Sequence, residues 1–228
     1  MHKESSKMSI VIAAIVALVI GGTAGYAAGM NKHDDSSNAH TSTMQASVTT
    51  TKAADLRVGL NNLLREHVST SVAVTRDIVD NSPDLEASKA AQTANAVDIA
   101  KAVGSVYGEE AQATITPMFV DHISESNKFA AAVASGDQAA KEMAVVELNE
   151  YLNDIASFFS GAISTLPQDA VYGLLETHEN LLNESIEAYK AGDFTKSYDL
   201  ERQALAQAGT IGDALAKGIV ETKPESFK

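Results

Sequence analysis

Cysteine and tryptophan are absent from the 228-residue chain, proline occurs four times, and aromatic residues make up only 5% of it. Without cysteine there is no disulfide framework, no thiolate metal site, no thiol nucleophile and no lipidated-cysteine anchor. Cations are also scarce: 17 Lys and Arg stand against 30 Asp and Glu, for a formal net charge of −13. Phosphate neutralisation needs clustered Lys and Arg, so nucleic acid is not an expected partner. Alternating Val/Thr/Tyr runs and Asn-Gly hairpins are missing too, which removes the sequence signs of strands. No nucleophile elbow, phosphate loop or His-Glu-x-x-His occurs, and no Ser/His/Asp set can be assigned from spacing. The expectation is a non-enzymatic protein.

What is present begins with an apolar segment. Residues 9–30, Ser9 to Met30, carry no charge and open with the run Ile10 to Ile20. As a helix they would extend about 33 Å, enough for a hydrocarbon core of about 30 Å. Lys3 and Lys7 precede the segment within the short N-terminus 1–8, whereas Lys32, Asp34 and Asp35 follow it. The positive-inside rule then predicts a single-pass cell-membrane protein with its N-terminus in the cytoplasm and its domain outside. The rival is a cleaved signal peptide ending near Gly25-Tyr26-Ala27. Both export the domain. Within the segment Ala13, Ala17, Gly21, Gly25 and Gly29 recur every fourth residue, a small-residue stripe suited to homo-oligomer contact between helices. Residues 31–53 are rich in Ser, Thr, Asn and His without apolar periodicity, and read as a flexible tether. His33, His40 and Met44 in it are metal-ligand types at irregular spacing.

Residues 54–220 carry helix-period patterns almost throughout, followed by a short tail, 221–228. Asn81-Ser82-Pro83-Asp84, Gly136-Asp137, Thr165-Leu166-Pro167 and Gly192-Asp193 are start or stop signals, and Tyr107-Gly108-Glu109 ends a further helix. They predict an all-α bundle of six long antiparallel helices near 55–80, 83–106, 109–134, 137–163, 167–190 and 193–219, paired as three hairpins. The hairpins repeat. His67, His122 and His178 are 55 and 56 residues apart, and Asn81, Gly136 and Gly192 each follow their histidine by 14 residues. Asp98, Asp154 and Asp213 recur late in the even helices.

Each repeated histidine lies on the apolar stripe of its helix, so the three imidazoles are expected to face the interior. They are candidate Zn or Cu ligands, since neutral imidazole suits both ions. The alternative is a core histidine copied by duplication and satisfied by one hydrogen bond. Geometry decides between them: hairpins in a row would separate the histidines, and only a closed arrangement around a common axis would gather them. Five residues before the histidines stand Asn62, Pro117 and Gly173, all weak in helix interiors. The Glu-x-x-His pair of di-iron bundles is missing, because Leu64, Phe119 and Leu175 occupy the third position before each histidine. Asp98, Asp154 and Asp213, if they point inward, would orient the imidazoles.

The stretches Leu56 to Val68, Ser105-Val106-Tyr107-Gly108-Glu109-Glu110 and Gly212-Asp213-Ala214-Leu215-Ala216 resemble a family of exported bacterial helical-repeat proteins. Some members carry the label copper amine oxidase through a fused stalk domain. The resemblance implies an exported helical domain but no transferable catalytic residue. It also implies a histidine late in the sixth helix, where this chain has Gln207. Two functions are expected from these observations. One is a membrane-tethered extracytoplasmic scaffold that contacts a protein or the envelope; the other is a metal- or cofactor-binding bundle using His67, His122 and His178.

Overall fold

The computed structural model describes residues 51–228, and each of its long elements is a helix. In chain order these are α1 (Lys52–Asp80), α2 (Leu85–Tyr107), α3 (Glu109–Ser135), α4 (Gln138–Ala162), α5 (Gln168–Lys190) and α6 (Phe194–Thr222). No strand occurs among the described residues. The all-α, six-helix expectation therefore holds for this region. The apolar segment 9–30, its small-residue stripe and the tether as far as residue 50 lie outside the described residues. Lys52 and Ala53, placed in the tether by composition, belong to the first turn of α1. Among the described residues no helix is long and apolar enough to cross a membrane.

The turns follow from local chemistry. Gly136 (φ 73°) and Gly192 (φ 79°) take the left-handed conformation after α3 and α5, and Asn81 (φ 52°) does the same after α1. Asparagine is among the few other residues that visit this region routinely, which explains why it replaces glycine at the first repeat of the offset. Asp137 and Asp193 then cap the next helices, accepting from the Ala140 N–H (3.0 Å) and the Lys196 N–H (3.1 Å). The first hairpin departs from the expected start. Pro83 lies in the turn and α2 begins at Leu85, with the Ser82 hydroxyl donating to the Asp84 carboxylate. At the far end α6 runs to Thr222, and Pro224–Phe227 adds a 3-10 turn whose Phe227 packs on the core.

Each hairpin packs within itself and against the next: α2 meets α3, α4 meets α5, and α6 returns to α1. The three odd helices α1, α3 and α5 also touch one another. The bundle is therefore a closed ring with the odd helices innermost. Ion pairs record the antiparallel course of α1 and α6: Arg57 meets Asp213 at one end (2.5 Å) and Arg76 meets Glu201 at the other (2.9 Å). Closing the ring requires a close approach at α6. A Cβ on Gly212 would stand 2.1 Å from Asn61 Oδ1, and one on Gly218 would stand 2.5 Å from Ile163 Cγ2.

The core has two parts. A large cluster including Leu60, Ile99, Ile115, Phe159 and Ile211 fills the end where the odd helices begin. A smaller one of Phe129, Ala130, Ala144, Leu148 and Ile186 fills the other end. Buried polar side chains are paired: Gln92 donates to Ser71 and accepts from Asn127, while the Ser185 hydroxyl donates to the Ser197 carbonyl.

Candidate functional site

Because the odd helices are innermost, the repeated histidine position lies on the bundle axis. His67, His122 and His178 are 3%, 3% and 5% exposed. The His67 ring centroid lies 5.5 Å from that of His122 and 5.8 Å from that of His178. The repeat's three imidazoles are thus brought together, His122 and His178 each lying beside His67.

The even helices contribute a second repeated set. Asn95, Tyr151 and Gln207 are 56 residues apart and follow their histidines by 28, 29 and 29 positions. Asn95 Nδ2 donates to the Leu63 carbonyl and Gln207 Nε2 to the Leu174 carbonyl, each at 3.0 Å. Both carbonyls belong to the residue four before the histidine. Tyr151 instead stacks on His122, with centroids 4.3 Å apart and planes 14° from parallel. Gln207 therefore braces the α5 turn ahead of His178.

One residue breaks the threefold pattern. The positions after the histidines hold Val68, Ile123 and Glu179. Glu179 is 5% exposed, and its Oε1 lies 3.3 Å from His122 Nε2. Its Oε2 has no hydrogen-bond partner, nor has Nδ1 of His67, His122 or His178. Four orphaned buried polar atoms at one locus are costly, since each forfeits its hydration without a replacement. Sequence reasoning missed Glu179 because it sought carboxylates three positions before the histidines. The signal was its isolation beside His178 at a position that is apolar in the other two repeats.

The electrostatics follow from burial. It lowers His67 to about 4 against the opposing effect of Asn95, and lowers His178 to about 3 with a smaller contribution from the charge of His67. His122 lies well below the ordinary imidazole range because of burial, then the charges of His67 and His178. Burial pushes Glu179 up to about 8, and holds Tyr151 well above its usual range with help from the Glu179 charge. Near neutral pH the cluster therefore consists of neutral imidazoles and a protonated carboxyl.

Asp98, Asp154 and Asp213 do not orient the imidazoles. Asp98 pairs with Lys101 at the surface, Asp154 is exposed, and Asp213 binds Arg57 and Asn61. Pro117 lies inside α3 without ending it. His33, His40 and Met44 lie outside the described residues.

The donor set, three imidazoles and one carboxyl, is chemically suited to a borderline divalent ion such as Zn or Cu. As the side chains stand, no group of three or more His, Asp or Glu among the described residues is closed tightly enough to hold a metal ion. No family model matches this chain, and none of the curated proteins or solved structures compared with it is similar to it.

Proposed function

We propose that this protein is a membrane-tethered, extracytoplasmic metal-binding bundle in which His67, His122 and His178 ligate a divalent transition ion, with Glu179 as the fourth donor. The observation that carries this reading is the set of four unpartnered polar atoms on one buried layer of side chains. Imidazoles sharing a tetrahedral Zn through bonds of about 2.0–2.1 Å have centroids about 5 Å apart. His67 stands 5.5 Å from His122 and 5.8 Å from His178, each within about 1 Å of that spacing. Neutral imidazoles are the ligating form, and burial keeps them so well into mild acid. The uncharged segment at residues 9–30 supports the tether and the outward placement of the domain.

The scaffold reading, in which the histidines serve only packing, leaves those four atoms unexplained. Calorimetric titration with Zn and with Cu separates the two. Near-stoichiometric uptake by the wild type, lost in His67→Ala, His122→Ala and His178→Ala variants that keep their helical circular dichroism, supports the metal site. Indistinguishable behaviour of all four proteins leaves the scaffold.

A further inference from the structure

A cavity of about 50 Å³ adjoins the imidazole layer. Its lining on α1 runs from His67 back through Leu64 and Leu60 to Leu56, a span of 11 residues or about 16 Å along the axis. The other odd helices likewise contribute their histidine and residues before it, Phe119 on α3 and Val171 and Leu175 on α5. The space therefore extends from the imidazoles towards the end of the bundle where the odd helices begin. Between its ends the walls are hydrocarbon, with Ile99, Val103, Ile211 and Leu215 from the even helices facing the leucines of α1. Polar groups gather at the imidazole and Glu179 end, and Tyr107, with its buried, unpartnered hydroxyl, lies far from the histidine register.

The volume is that of several water-sized probes, at about 10–15 Å³ each. Water needs two to four polar partners, which the imidazole and Glu179 end can offer but the stretch of hydrocarbon wall between the ends does not. An ionic occupant fares worse, because no Lys or Arg lines the space and an unpaired charge would lose its hydration there. Size and wall chemistry together select a small neutral molecule.

We infer that this chamber admits a small, neutral, weakly polar molecule of about two to four heavy atoms, of the size class of dioxygen, and delivers it to the imidazole layer. The inference rests on the proposed metal site for its purpose, since the molecule would arrive beside the bound ion. It rests on the chamber alone for its existence.

Xenon is a suitable probe, because dry apolar cavities take it up. Full-length protein in detergent micelles, metal-free and labelled at Ile, Leu and Val methyls, would be followed by NMR under rising xenon pressure. Resonances of Ile99, Ile211 and Leu215 should shift saturably, while Leu148 in the second core cluster should not. Dissolved dioxygen should broaden the same chamber methyls selectively through its paramagnetism. Filling the space with Ala208→Leu, or with Ala102→Leu at a less buried wall position, should remove the saturable shifts in whichever variant stays folded. Linear or equal shifts at chamber and control methyls in the wild type would overturn the inference, as would shifts that survive in a folded filled variant. Metal titration of the same sample separates this result from the preceding proposal. Saturable xenon shifts without metal uptake keep the chamber and reject the metal site; metal uptake without such shifts does the reverse.

Discussion

Glu179 Oε1 approaches His122 Nε2 to 3.3 Å, yet this contact between an acid and a base carries no ion pair near neutral pH. Burial raises the carboxyl to about 8 and holds the imidazole well below its ordinary value, so both partners are neutral. Charge separation here would require desolvating two ions for one contact. Neutrality is the cheaper state until an external charge enters the layer.

The pH dependence of stability should therefore have two limbs. Each buried histidine binds its proton less readily when folded, so stability is lost as pH falls from about 6.5 towards the folded values of about 4 for His67 and about 3 for His178. Glu179 acts in the opposite sense. Its folded form retains a proton up to about 8, so its contribution is complete below the ordinary carboxyl range and is lost as pH rises to about 8. Between the carboxyl range and pH 6.5 the three histidines outweigh the single acid. Denaturant melts of metal-free protein should give maximal stability near pH 6.5 from this cluster. Glu179→Gln should flatten the limb between pH 6.5 and 8 and steepen the acid limb between pH 6.5 and the ordinary carboxyl range. An unchanged alkaline limb in that variant would show that Glu179 is not the titrating group.

Metal should raise the melting temperature as its concentration rises, because only the folded bundle assembles the donors. Uptake at 100 times the dissociation constant corresponds to about 2.7 kcal/mol of added stability. The lowered values of His67 and His178 keep those imidazoles neutral through pH 6. Glu179, in contrast, holds its proton up to about 8 and must release it to serve as the fourth donor, so affinity should weaken as pH falls below about 8. A titration series from pH 5 to 8 reads this directly: Glu179→Gln should remove the dependence between pH 6 and 8, and a variant that kept it would contradict the assignment of Glu179 as a donor.

Glycine substitutions should divide by their surroundings. Gly212→Ala and Gly218→Ala drive a Cβ against Asn61 and Ile163 and should destabilise by about 1–3 kcal/mol. Gly173→Ala, five residues before His178 in α5, has nothing within 4 Å of the added Cβ. Removing glycine there from a helix interior should stabilise by about 0.5–1 kcal/mol. Thermal melts of the three variants check the order, and equal effects would argue against the close approach of α6 to α1.

The N-terminal proposal is tested in cells. Full-length protein should fractionate with membranes, and its domain should be open to protease added outside. N-terminal sequencing that begins near Ala28 would instead identify a cleaved signal peptide.

Much of this protein was legible from residue order. Helix-period stripes and the Gly-Asp pairs located all six helices to within a few residues, because those signals act within a turn or two of chain. At Pro83 the start differs by two residues: Ser82 donates to the Asp84 carboxylate within the turn, and α2 begins at Leu85. The 55- and 56-residue spacings marked His67, His122 and His178 as equivalent and inward-facing. They could not say whether three equivalent residues meet, since a repeat fixes position within each hairpin and leaves the arrangement of hairpins open. Return of α6 to α1, made close by Gly212, decided that, and it converted sequence equivalence into proximity on one axis. The same closure buried Glu179 against His122, a contact between α5 and α3 that no spacing within either helix encodes. Local stereochemistry is written in neighbouring residues, whereas burial and pKa depend on which distant helices exclude water from a side chain.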